Sequence, residues 1–143
     1  GGGSDTIWTA LQAFLLVMVL CPEAQKKAQD EIERVVGNDR LPSVHDRDAL
    51  PYVENLIKEV RRWWLLAPGA ISHRLMEDEY KGYFIPKGLV ILFILFLPSC
   101  TTRCISRDEE MYPDPETFRP ERFIEPNADG LDPYKFAFGV GRR

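Results

Sequence analysis

Glu59 and Arg62 stand three residues apart in "KEVRRW", so on a helix they share one face. On a wet surface such a pair is an ordinary ion pair worth ~0.3–0.5 kcal/mol. Here it flanks an apolar stripe, beside Leu56 and Trp63. A pair drawn partly out of water needs further partners for its remaining donors and acceptors. Arg122, in "RPERF", is a candidate for that role. A second constellation is "GGGSDT". One reading is a flexible linker followed by a helix cap. The other is a glycine-loosened turn of a buried helix, whose opened hydrogen bonds let a hydroxyl face a cavity. Asp5 and Thr6 could then relay protons. A phosphate cradle is excluded, because no Gly-Lys-Ser/Thr follows the glycines. His73 with Arg74 forms a third group, placed where a ligand carboxylate could be met, although a lone histidine is ordinarily a surface or core residue. The fourth is the terminal "FGVGRR". Its glycines permit close backbone approach and its paired arginines suit an anion, but a bare Gly-x-Gly also describes a frayed end.

The elements that must position these groups are mostly helical. Ser4 or Asp5 can cap a first helix, and Ile7 to Cys21 are apolar nearly all round, which predicts burial on most sides. This run falls short of the ~20 apolar residues of a membrane-spanning helix. Pro22 ends it and can occupy the first turn of a second helix, with Ala24, Ala28, Ile32, Val35 and Val36 at helical spacing and Gly37 as the stop. "NDRLPSVHDRDALP" reads as a connecting loop. A third helix follows, with Val53, Leu56, Ile57, Val60 and Trp64 as its apolar stripe and Pro68 and Gly69 as its end. "YKGYFIPKG" predicts a hairpin or paired short strands. From Arg107 onward, prolines at non-helical spacing predict an ordered, irregular loop.

Composition narrows the functional classes. The 143 residues are 45% hydrophobic and 28% charged, which argues for a globular chain rather than a disordered one. The net charge of -4 gives no expectation of a nucleic-acid-binding face. The three cysteines do not form a disulfide framework. Cys100 and Cys104 lack the companions of a zinc site, so two ordinary thiols are expected.

Taken in order, these motifs closely resemble the cytochrome P-450 family of haem-thiolate monooxygenases. "GGGSDT" resembles the family's oxygen-activating stretch, Ala/Gly-Gly-x-Asp/Glu-Thr. "KEVRRW" holds its Glu-x-x-Arg, "HRLMEDEYKGYFIPKG" looks like the segment after that helix, and "YPDPETFRPERF" resembles the meander. "FAFGVGRR" looks like the start of the haem loop, Phe-Gly-x-Gly-x-Arg-x-Cys-x-Gly. The resemblance implies a mainly α fold with a small β portion, and residues 1–143 as a C-terminal-half fragment of one such domain, closest to fungal microsomal members.

The same resemblance implies roles. Asp5 and Thr6 would assist catalysis by delivering protons. Glu59, Arg62 and Arg122 would form a structural triad. His73 and Arg143 would meet haem propionates, with Phe138 and Gly139 in the cofactor loop. The iron ligand would be a cysteine two residues beyond Arg143, with no metal ligand among residues 1–143. Implied partners are an NADPH-dependent cytochrome reductase and a small apolar organic substrate. Implied location is the cytoplasmic face of the endoplasmic reticulum membrane, through an N-terminal anchor outside this chain. Two readings depart from that picture. "LVILFILFLPSCTTRCIS" is longer than the family pattern between "IPKG" and "RDEE", so residues 89–106 are expected to be an insertion, such as a translated intron. Without its iron ligand the isolated chain is expected to be inactive, and a non-catalytic helical interaction protein from a degenerate gene copy is the rival class. A membrane-surface module using Leu89 to Leu97 is a third.

Overall fold

In a computed structural model the described residues are 2–64, 73–74, 76–88, 90–91, 101–124 and 131–137. Helix α1 spans Gly2–Leu20, α2 Pro22–Val36 and α3 Pro51–Trp63. Each touches the other two. Ala13, Val17 and Met18 of α1 meet Ala24 of α2 and Leu56 and Val60 of α3 in one buried cluster, rimmed by Cys21, Ala28, Tyr52, Trp63 and Phe118. Pro22 opens α2, where its missing N–H costs nothing. Gly37 closes α2 at φ +78°, a conformation that a side chain would oppose.

Three expectations about α1 and α3 change. α1 begins at Gly2, so Ser4 and Asp5 lie inside its first turn rather than ahead of it. Asp5 still meets the positive end of the helix dipole there. Second, α1 is not buried on most sides. Only the Ala13–Val17–Met18 stripe is covered, while Trp8 (63% exposed) and Val19 (79% exposed) lie open. Because the helix runs on through the glycines, the window Gly3–Leu20 is long and apolar enough to cross a membrane by length and composition, contrary to the shortfall read from Ile7 to Cys21. Third, α3 ends at Trp63, and Trp64 leaves it in extended conformation. Trp63 takes the packing role expected of Trp64. Its Nε1–H donates to the Glu116 carbonyl at 2.8 Å, and its ring meets Phe118 edge-on. An indole needs a partner for its N–H when it packs, and only Trp63 finds one among the described contacts.

The link between α2 and α3 holds more order than a plain loop. Val44–Ala49 form a 3-10 turn, and Asp46 accepts from the Ser43 N–H at 2.7 Å and from Arg40 at 2.6 and 2.7 Å. Arg40 first, and Ser43 after it, hold the Asp46 carboxyl well below the usual aspartate range.

Beyond α3, strand β1 (His73–Arg74) pairs antiparallel with β4 (Val90–Ile91). Between them β2 (Asp78–Tyr80) and β3 (Tyr83–Ile85) form the expected hairpin, with Tyr80 opposite Tyr83. Its turn residues Lys81 and Gly82 both have positive φ, at 52° and 81°. That is the left-handed pair of a type I′ turn, which favours Asn-Gly. Lys81→Asn is therefore expected to raise stability by about 0.5 kcal/mol, readable as a small rise in the urea midpoint. Helix α4 covers Thr101–Ser106, and α5 covers Tyr134–Ala137. Residues 107–124 run as the expected irregular segment, ending in a 3-10 turn over Pro120–Phe123. Of residues 89–106, positions 90–91 and 101–106 are engaged in β4 and α4, whereas 89 and 92–100 lie outside the described residues.

Candidate functional site

α3 and the irregular segment meet at a buried charge cluster. Glu59 and Arg62 are both 0% exposed and Arg122 is 1% exposed. Their spacing on α3 lets Arg62 fork onto the carboxylate, Nε and Nη2 each donating at 2.8 Å to one Glu59 oxygen. Glu59 Oε1 also accepts from Arg122 Nε at 3.1 Å and from the backbone N–H of Arg119 at 2.9 Å. One carboxylate thus faces two guanidinium groups. Backbone carbonyls complete what a second carboxylate would have supplied. Arg62 Nη1 donates to the Ser106 carbonyl at 2.8 Å. Arg122 donates to the carbonyls of Pro113 (2.9 Å), Asp114 (3.2 Å) and Thr117 (3.0 Å). Burial first, then the charges of Arg62 and Arg119, push the Arg122 pKa down, against the pull of Glu59. The cluster holds the end of α4 and the irregular segment onto α3, and its own groups are fully engaged in doing so.

Two residues around the cluster were not singled out in the sequence. Tyr112 is wholly buried, its ring 5.3 Å from the Arg62 guanidinium and its hydroxyl donating to the Leu131 carbonyl at 2.7 Å. Arg107 donates to the carbonyls of Trp63 (3.0 Å) and Pro115 (2.9 Å) and pairs with Glu116. Tyr112 carries a weak sequence signal, as an aromatic among prolines and acids. Arg107 carries none, because two of its targets are backbone carbonyls and the bond that ties it to α3 spans 44 positions.

Burial pushes the Tyr112 hydroxyl up to about 12. The unfolded chain ionises this group near 10. Stability from the neutral phenol is therefore complete below pH 10 and is lost as pH rises from there toward 12. Tyr112→Phe is expected to lose about 1 kcal/mol at neutral pH and to show a shallower alkaline decline, as read from urea midpoints across that interval.

The remaining sequence candidates are not gathered at this cluster. Asp5 and Thr6 lie on the exposed first turns of α1. The Thr6 hydroxyl donates to the Gly3 carbonyl at 3.2 Å, and the Thr9 hydroxyl to the Asp5 carbonyl at 2.8 Å. The backbone of His73 is in β1. Its side chain, and all of Phe138, Gly139 and Arg143, lie outside the described residues. Among the described residues no group of three or more His, Cys, Asp or Glu could hold a metal. Cys21 is half-buried, with its thiol pushed up by burial, and Cys104 is exposed.

A mainly helical unit with a hairpin, and an irregular segment tied by Arg122 to a helical Glu-x-x-Arg, defines a partial haem-thiolate fold. The family model for cytochrome P-450 matches residues 1–143, and the chain belongs to that family. It is 48% identical to cytochrome P-450 monooxygenase claR of Ampulloclitocybe clavipes, a match covering 100% of this chain and 26% of that protein. It is 48% identical to cytochrome P-450 monooxygenase COX2 of Coprinopsis cinerea and 46% identical to monooxygenase 176 of Postia placenta, each match covering 99% of this chain and 26% of the relative. The chain therefore spans about a quarter of the length of these curated relatives.

Proposed function

We propose that these residues form part of a haem-dependent monooxygenase that inserts one atom of dioxygen into an apolar organic substrate. The observation that carries this reading is the complete burial of Glu59, Arg62 and Arg122 in a chain matched to the family along its whole length. Haem held by a cysteine thiolate would supply the chemistry, since the thiolate donates electron density that favours O–O cleavage. Cys21 is half-buried, with its thiol pushed up by burial, and Cys104 is exposed; neither stands in the Phe-Gly-x-Gly-x-Arg-x-Cys context that carries the family's iron ligand. In this reading the ligand is the cysteine expected two residues beyond Arg143.

The roles of this chain's own residues are then distinct. Glu59, Arg62 and Arg122 fix the irregular segment that leads to the cofactor loop. Phe138 and Gly139 belong to that loop, and His73 and Arg143 pair with propionates. Asp5 and Thr6 deliver protons along α1, with Thr6 Oγ1 turning from the Gly3 carbonyl to do so. Electrons come from an NADPH-dependent reductase, at the cytoplasmic face of the endoplasmic reticulum. Residues 89–106 are an insertion within the single domain, and a transcript that encodes them without interruption overturns an intron origin. The deciding experiment is a carbon monoxide difference spectrum of the complete gene product reconstituted with haem. A thiolate-type band supports the enzyme reading. Its absence in folded protein favours a non-catalytic helical protein.

A further inference from the structure

The third helix does not cap itself. Its N-cap position is Leu50, which has no capping side chain, and Pro51 follows with no N–H. Two orphan donors remain, the N–H groups of Tyr52 and Val53. Both are taken by Glu31 of α2, Oε1 accepting from Tyr52 at 3.1 Å and Oε2 from Val53 at 2.9 Å. Glu31 is buried, at 7% exposure, although glutamate is seldom buried without a purpose. Its only cation contact among the described residues is a long one, 3.9 Å from the exposed Arg34. A sequence signal exists: Glu31 follows Ala24 and Ala28 at helical spacing, so a charged residue occupies an inward position of α2.

The same face of α2 also reaches the 3-10 turn that carries Arg122. Lys27, four residues before Glu31, donates to Glu121 at 2.6 Å, and the Tyr52 hydroxyl lies 3.4 Å from that same oxygen. Glu121 is the neighbour of Arg122. At the far end of α3, Arg107 donates to the Trp63 carbonyl. An acid thus sits at the start of α3 and a base at its end, the polarity that the helix dipole favours. A helix behaves as a rod, so freeing either end displaces Glu59 from the donors of Arg119 and Arg122, which tolerate little movement.

We propose that Glu31 is a positioning residue for the Glu59 cluster, supplying from α2 the N-terminal cap that α3 lacks. The assignment rests on geometry alone; only its spectral test depends on the haem reading above. In the complete gene product, Glu31→Gln keeps the size but leaves one oxygen to serve two N–H groups. Exposed Glu33→Gln on the same helix is the control. Hydrogen–deuterium exchange is compared between peptides from the first and second halves of α3, together with the carbon monoxide difference spectrum. The expected result is about tenfold faster exchange at Tyr52 and Val53, little change around Val60, and a smaller thiolate-type fraction, with Glu33→Gln resembling wild type. Unchanged exchange at Tyr52 and Val53 overturns the assignment. Uniform acceleration along α3 also overturns it, because that marks a general loss of stability. Faster local exchange with an unaltered spectrum reduces Glu31 to a local cap and overturns the positioning role. If wild type gives no thiolate-type band, the haem reading fails, and limited proteolysis replaces the spectrum: faster cleavage within residues 107–124 in Glu31→Gln but not in Glu33→Gln supports the positioning role, and equal cleavage overturns it.

Discussion

Glu59→Gln is expected to cost about 3–5 kcal/mol of folding stability, read as a fall in the urea midpoint of the complete gene product. Glutamine matches the shape but removes the only carboxylate among the described residues that faces Arg62 and Arg122, both of which are fully buried. An amide also presents two donors where the cluster needs acceptors. The carbonyls of Ser106, Pro113, Asp114 and Thr117 still accept from the guanidinium groups, but they carry no net charge. Total stability of a domain is about 5–15 kcal/mol, so a loss of this size removes a large share of it. A midpoint shift below about 1 kcal/mol would show that the pair behaves like a surface ion pair and that its burial carries little weight.

Arg122→Met is expected to cost about 3 kcal/mol by a different route. Here Glu59 keeps its fork to Arg62 and its bond from the Arg119 N–H, so no charge is stranded. What fails is the irregular segment, where three carbonyls lose their shared donor. Asp114 is held there at φ +53°, a backbone conformation that needs such support. Limited proteolysis should therefore cut within residues 107–124 faster in the variant, while α1 to α3 stay protected. Arg122→Lys is not expected to rescue, because one ammonium cannot reach a carboxylate and three carbonyls in the planar arrangement that a guanidinium offers. Equal cleavage of variant and wild type would refute the anchoring role.

Much of this arrangement was readable in the chain itself. The boundaries set by Pro22 and Gly37, the hairpin around Lys81–Gly82 and the irregular proline-rich segment all follow from local backbone chemistry, and local chemistry is visible in sequence. Glu59 and Arg62 were readable as a pair because three-residue spacing fixes a shared helical face. Their depth was not, since it depends on Arg122 and on carbonyls brought in by the segment around them. The exposure of α1 was misjudged for a related reason. An apolar surface indicates what could be covered, whereas covering depends on which elements lie against it. Trp63 and Trp64 could not be told apart by hydrophobicity, because the choice turned on where the Glu116 carbonyl came to lie. Glu31 shows in the sequence as a charge at an inward position of α2, but its targets do not, because both it and Arg107 act on backbone atoms of α3.

The separation of 63 positions from Glu59 to Arg122 also has a meaning in time. Ribosomes add roughly 5–20 residues per second, so about 3–13 s separate the synthesis of these two side chains. During that interval α3 can form and pair Glu59 with Arg62, both being local. The second arginine and the four carbonyls are not yet in place to make burial favourable. The Glu59 and Arg62 side chains on α3 therefore stay wet until the segment carrying Arg122 arrives, and docking of that segment is the step that drives water from them. Birth order along the chain makes this charged knot a late closure, fastened after the helices it joins have already formed.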